Sequence, residues 1–284
     1  MKKALKILAA AVSMSLAVLT PASAAPEEET VSNAYLHLDG AMDEWAAAPA
    51  LRLPSSYHGG HLDSWNNSVI YDDALVIIAY ANRKDNADSL ERAKNMGDAF
   101  LQMQAKDPIG DGRVRNSYGP ENLFDADGVP NILSTGTAAG NQAWAGMALA
   151  HLAHVTKDAK YRDGALRIGE WLLRETSDSR GTGGFTAGYG ANGEKMAWNS
   201  TEHNIDMVGL FGMLHQLTKD RKWHSARKHA RKFVKSMWDE KEGRFHIGTK
   251  PDGVTINRDE YVPEDVQSWG YLALLSEPYA RALD

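Results

Sequence analysis

Hydrophobic and polar positions along this chain sort its helical stretches into two kinds. Residues 68–82, 138–155 and 202–217 are apolar on most faces, as in Met207-Val-Gly-Leu-Phe-Gly-Met-Leu, which predicts helices buried all round. After a short turn, each is followed by an amphipathic stretch with one apolar stripe and a charged face, at 88–105, 159–176 and 222–238. A Gly-rich return segment closes each pair, at 110–118, 180–185 and 242–245.

The turns carry the period. Thr156-Lys157-Asp158 recurs 62 residues later as Thr218-Lys219-Asp220, and Tyr161 and Trp223 keep the same offset. Extending that register aligns Asp72, Trp144, Asp206 and Ser268, at spacings of 72, 62 and 62 (144 − 72, 206 − 144, 268 − 206), and opens a fourth apolar helix near Glu264. Short turns make each pair antiparallel, and repeating the pair makes the apolar helices parallel, with their N-termini at one end. The expected architecture is all-α: an inner ring of apolar helices, an outer ring of amphipathic ones, and strand only in the returns. A site is expected where the inner helices begin.

The ends and the composition narrow the classes. Lys2, Lys3 and Lys6, the apolar run from Ile7 to Leu19, and Ala22-Ser23-Ala24 predict a secretory signal over residues 1–24, and hence a periplasmic or extracellular protein. The apolar run is shorter than the roughly 20 residues a membrane span needs, so no membrane insertion is expected after cleavage. Residues 25–35 are polar and expected as a flexible arm, and 36–284 as one domain with no low-complexity linker. With no cysteine, disulfides and thiolate metal sites are excluded. The formal charge of −6, or −9 without the three signal lysines (−6 − 3), argues against nucleic acid and leaves neutral polymers open as partners. Composition leaves the oligomeric state open.

Tyr71-Asp-Asp-Ala-Leu75, Asp111-Gly-Arg-Val-Arg-Asn-Ser-Tyr118, Trp198-Asn-Ser-Thr-Glu-His-Asn-Ile-Asp206 and the 265–274 stretch beginning Asp265-Val-Gln-Ser-Trp269 resemble a bacterial exported group of the six-hairpin (α/α) toroid glycosidase superfamily. The resemblance spans essentially the whole mature chain, and the 198–206 cluster is its most specific part. It implies an (α/α) toroid of antiparallel helical hairpins and a carbohydrate substrate. The superfamily holds glycoside hydrolases, polysaccharide lyases and sugar epimerases. A complete ring has six hairpins, whereas three and part of a fourth are legible, so the toroid is expected to be incomplete.

Within that frame, Glu202 and Asp206 stand at i and i+4 and share one helix face behind Ser200 or Thr201 as cap. Two carboxyls facing one cleft suit glycoside hydrolysis, where one protonates the leaving oxygen and the other activates water or attacks. Glu202 is the favoured acid, and Asp206, Asp72 and Asp73 compete for the base. Acidic residues in a first helical turn are also favoured by the helix dipole alone. Asp265 and Gln267 open the fourth inner helix and are weaker candidates.

His203 and Asn204 are expected to meet sugar hydroxyls; His203 is alternatively a satisfied core histidine or, like Tyr71, the base of a lyase or epimerase. Trp65, Trp144, Trp198 and Trp269 lie at or just before inner-helix starts, where an aromatic face can stack on a pyranose; Trp171, Trp223 and Trp238 are expected in the core. Arg113, Arg115, Asn116 and Tyr118 either bind sugar or close their return loop. Asp125-Ala-Asp127-Gly lacks the remaining ligands of a calcium loop, and neither metal nor cofactor is expected. The leading function is an exported glycoside hydrolase acting on a polysaccharide or oligosaccharide. The alternatives are a lyase or epimerase, or a noncatalytic carbohydrate-binding protein on a degenerate toroid.

Overall fold

The computed structural model describes residues 25–45, 51–62, 65–83, 86–258 and 261–284; the predicted signal segment lies outside them. The chain divides into two units, Met1–Ala41 and Met42–Asp284. The first contains most of helix α1 (Ala25–Asp43), so residues 25–35, expected to be a flexible arm, are helical. Their polarity accords with exposure at residues 29–34. It did not decide the backbone, because no Gly or Pro interrupts the stretch from Glu29 to Asp39.

In the second unit, α2 (Ile70–Asn82) pairs with α3 (Ala87–Lys106), α4 (Ala139–Thr156) with α5 (Ala159–Thr176), and α6 (Thr201–Thr218) with α7 (Arg221–Ser236). A further inner helix, α8 (Glu264–Leu274), leads into a 3-10 turn at Glu277–Leu283. The inner helices pack in sequence, α2 on α4, α4 on α6 and α6 on α8, and each outer helix lies on its own partner. This is an (α/α) toroid of antiparallel hairpins, with three hairpins and the first helix of a fourth among the described residues. Strands among the described residues are two or three residues long and stitch the returns together, as where Ser68–Val69 pairs with Ser117–Tyr118.

The two helix types differ in burial as their patterns predict. Helix α4 buries residues on most of its circumference, whereas α7 buries only Trp223, Ala226, Ala230, Phe233 and Val234, one stripe at helical spacing. The repeated turns are alike bond for bond. Lys157 and Lys219 adopt left-handed backbone at φ 61° and 60°, Thr156 and Thr218 donate to the carbonyls of Leu152 and Leu214, and Asp158 and Asp220 cap the outer helices.

A second repeated device joins each return to the next inner helix. The Gln142 side chain donates to the Val114 carbonyl and accepts from its N–H. Asn204 does the same to Phe185, and Gln267 to Phe245. Each amide stands three residues after the start of its helix, and the clamps fix the register. The inner helices begin at Ile70, Ala139, Thr201 and Glu264, at spacings of 69, 62 and 63 (139 − 70, 201 − 139, 264 − 201). The backbone N–H groups of the first three donate to return-segment carbonyls at Asn116, Ala187 and Ile247.

The expected alignment of Asp72, Trp144, Asp206 and Ser268 is therefore corrected at both ends. The equivalents of Trp144 and Asp206 are Leu75 and Trp269. Turn spacing calibrated the period only between the second and third hairpins; the return after α3 is longer, and one residue is added before α8.

Candidate active site

The correct register places two layers of side chains at the end where the inner helices begin. Tyr71, Gly140, Glu202 and Asp265 follow the first residue of each helix; Leu75, Trp144, Asp206 and Trp269 lie one turn deeper. The aromatic members touch, with ring centroids 5.3 Å apart for Tyr71 and Trp144 and 5.7 Å for Trp144 and Trp269.

The acidic members converge. Burial, followed by the charges of Asp206, Glu202, Asp265 and Asp72, pushes the Tyr71 phenol well above its ordinary range. Glu202 is half-buried, and burial together with the Asp265 charge raises its carboxyl. Asp206 is almost fully buried and raised further, by burial and then by Glu202. The Trp144 indole N–H lies close enough to favour the Asp206 carboxylate, yet among the described residues neither Asp206 Oδ2 nor Trp144 Nε1 completes a hydrogen bond of good geometry. Burial lowers His203 to about 4, so its imidazole is neutral at pH 7. Its ring lies 6.1 Å from that of Trp198, tilted by 34°.

Two cavities flank the first turns of α6. One, of about 470 Å³, is lined by Trp198, Glu202, Asn257 and Tyr261 among others. The other, of about 440 Å³, is lined by Trp144, Asp206 and Trp269 and runs along α6 past Gly209 and Met213. Glu202 thus opens onto one cavity and Asp206 onto the other. Among the described residues, Asn257 Oδ1 is buried without a hydrogen-bond partner, and Tyr261 is 72% exposed at the rim.

Several expected site residues are occupied elsewhere. Asp73 is buried and accepts from Ser68 Oγ at 2.7 Å, away from both cavities. Asn204 and Gln267 are the amide clamps. Tyr118 is fully buried and its hydroxyl accepts from the Arg115 N–H. Arg115 pairs with buried Asp107 and donates to the Thr135 carbonyl. In each case a polar side chain in the right neighbourhood is consumed by backbone, a counter-ion or a neighbouring hydroxyl, which spacing does not show. Trp65 is exposed and stands edge-on to Tyr57, 5.9 Å away. Asp72 is half-buried, accepts a hydrogen bond from Ser56 and is raised by burial.

Gly140, Asn257 and Tyr261 escaped the sequence reading. Gly140 was findable from the register, since it is the equivalent of Glu202. Asn257 and Tyr261 lie in a return with no repeat to mark them. Among the described residues, no group of three or more His, Asp or Glu is placed to hold a metal ion.

The class defined by this fold is the (α/α) toroid, and solved toroids match it by structure. The GH76 α-mannanase of Bacteroides thetaiotaomicron superposes with a TM-score of 0.62 at 15% identity, over 92% of this chain and 67% of that one. A D-mannose isomerase gives 0.59 at 15% identity, over 78% of this chain and 58% of that one. The cellobiose 2-epimerase of Spirochaeta thermophila gives 0.58 at 17%, over 93% and 73%. The chain thus spans about two thirds or less of the length of the first two. No protein-family model matches it, and no curated protein matches it by sequence.

Proposed function

We propose that this protein is a carbohydrate-active enzyme, and more specifically an exported glycoside hydrolase with Glu202 as general acid. Protonating a glycosidic oxygen near neutral pH requires a carboxyl that keeps its proton above the ordinary range while still reaching a cleft. Glu202 meets both conditions: burial and the Asp265 charge raise it, and it opens onto the cavity between Trp198 and Tyr261. That combination carries the reading. Asp265, facing Glu202 from α8, is the second carboxyl in place of Asp73, and its charge helps keep Glu202 protonated, while Asp206 lies one turn deeper. Trp198, Trp144 and Trp269 supply flat apolar faces for sugar C–H groups. Hydrolases and sugar epimerases share the fold at low identity, which supports a carbohydrate substrate in general terms.

The test is reducing-end release from a panel of polysaccharides and oligosaccharides. Turnover that falls at least about a hundredfold in Glu202→Gln supports the reading. Wild-type rates in that variant would overturn it.

One observation favours a second reading, a sugar epimerase. His203 is held neutral by burial, with its ring against Trp198 and, among the described residues, its Nδ1 unpaired, the state a proton-abstracting base needs. It predicts interconversion of two sugars with no gain in reducing ends and loss of that activity in His203→Ala.

A further inference from the structure

The three outer helices occupy the same place in successive hairpins but carry different charge. Helix α3 has three acidic and three basic residues, and α5 three acidic and four basic. Helix α7 has seven basic residues and no acidic one, in a chain whose net charge is −6. The fold does not require this, since α3 and α5 pack as outer helices without it. Like charges at i and i+4, such as Lys228 and Lys232, work against the helix itself.

Two of the seven are engaged: Lys222 pairs with Glu170, and Arg231 donates to the last carbonyls of α8, at Ala273 and Leu274. Arg221, Lys228, Lys232 and Lys235 are exposed and make no ion pair among the described residues. At 100° per residue these four fall within an arc of about 60°, a straight row about 21 Å long. The row ends at the cleft end of the molecule, where Ser236 and Thr182 of the preceding return share a hydrogen bond of 2.9 Å. The apolar residues of α7 all face the core, so the helix has nothing to insert into a bilayer.

We propose that this row is a docking strip for a linear anionic polysaccharide, a glycan contact outside the cleft. A row of unneutralised cations leading towards a sugar site is complementary to a chain bearing carboxylate or sulfate groups along its length. The class of polymer rests on the carbohydrate reading above; the charge complementarity does not.

The experiment measures binding, not turnover, on the full chain at low and high salt. The probes are polygalacturonate, dextran sulfate, uncharged dextran and phosphatidylglycerol vesicles. The variants are Lys228→Glu/Lys232→Glu and, as a control for net charge, Lys106→Glu/Lys195→Glu. Both anionic polymers should bind the wild type and uncharged dextran should not, with salt weakening the contact. The α7 pair should lose at least about tenfold in affinity and the control pair less than about twofold. No binding to either anionic polymer, equal losses in the two variants, or tighter binding to the vesicles would overturn the proposal. Hydrolysis of a neutral oligosaccharide by the α7 variant should be unchanged; absence of hydrolysis in the wild type as well bears on the function of the cleft and leaves the strip standing.

Discussion

Gly140 of α4 and His203 of α6 are packed so closely that a Cβ on Gly140 would stand 2.6 Å from His203 Cδ2 and 3.1 Å from Asp206 Oδ2. A hydrogen atom at this position is what lets the start of α4 approach the carboxyl layer of α6. Gly140→Ala must displace the His203 ring or part the two helices. The expected cost is about 1–3 kcal/mol of stability. Turnover should fall by more than the melting temperature implies, because the displaced groups are the ones beside Glu202. Melts and initial rates on one preparation check this, and a fully active, destabilised variant would remove His203 and Asp206 from the site.

Glu202 and Asp73 are both acidic residues in the first turn of an inner helix, and their surroundings predict opposite outcomes. Glu202→Gln should lower turnover by about 10² or more and shift stability by less than about 1 kcal/mol. Asp73→Asn should leave turnover alone. Its carboxyl is raised well above the usual range, by burial foremost, so the neutral amide relieves a cost that the charged form carries. A rate loss in Asp73→Asn as large as that in Glu202→Gln would place the chemistry on α2.

The contrast between these two residues marks how far the sequence could be read. The hairpin period, the inner and outer rings, and the shared end where the inner helices begin follow from hydrophobic periodicity, because the helices that bury most of their circumference are the apolar ones. Trp144 and Asp206 follow from the same register, Trp269 lies one residue beyond the position it gives, and Glu202 comes from the 198–206 cluster. What escaped is pairing across the chain. Asn204 beside His203 and Gln267 beside Trp269 read as sugar ligands, and each spends its amide on one residue of the preceding return. Arg115 and Tyr118 are likewise consumed by Asp107 and by backbone. A one-dimensional pattern shows that a polar residue is near a cleft, not which partner reaches it first.

The amide clamps supply a prediction of their own. Asn204→Leu leaves the N–H and carbonyl of buried Phe185 without partners, and Gln142→Leu does the same to Val114. Each should cost about 2 kcal/mol or more, since each strands two buried backbone groups. Chemical denaturation measures it. If Asn204 were instead a sugar ligand, its replacement would raise KM and leave the unfolding midpoint near wild type.

The last prediction concerns pH and turns on the sign of the Asp206 shift. Burial, and then the Glu202 charge, raise this carboxyl in the folded state above the value of about 3.9 it has in the unfolded chain. Between those two values the folded protein holds a proton that the unfolded chain has released, so this group makes folding more favourable as pH falls. Its penalty is greatest at neutral pH and disappears near pH 4. Asp111 and Asp178 behave in the opposite sense. Although burial opposes it, Arg113 and Arg180 hold them below the ordinary range, so their contribution is present above about pH 4 and is lost only in stronger acid. Subtracting the pH profile of Asp206→Asn from that of the wild type isolates the first effect. The variant should melt higher at pH 7, by about 2–4 °C for each kcal/mol relieved, and the gain should shrink towards pH 4. The same substitution removes the carboxyl that lies one turn below Glu202 and opens onto the second cavity, so turnover should fall as stability rises. A group kept for packing shows no such opposition, and a variant both less stable and fully active would mean that Asp206 belongs to the core.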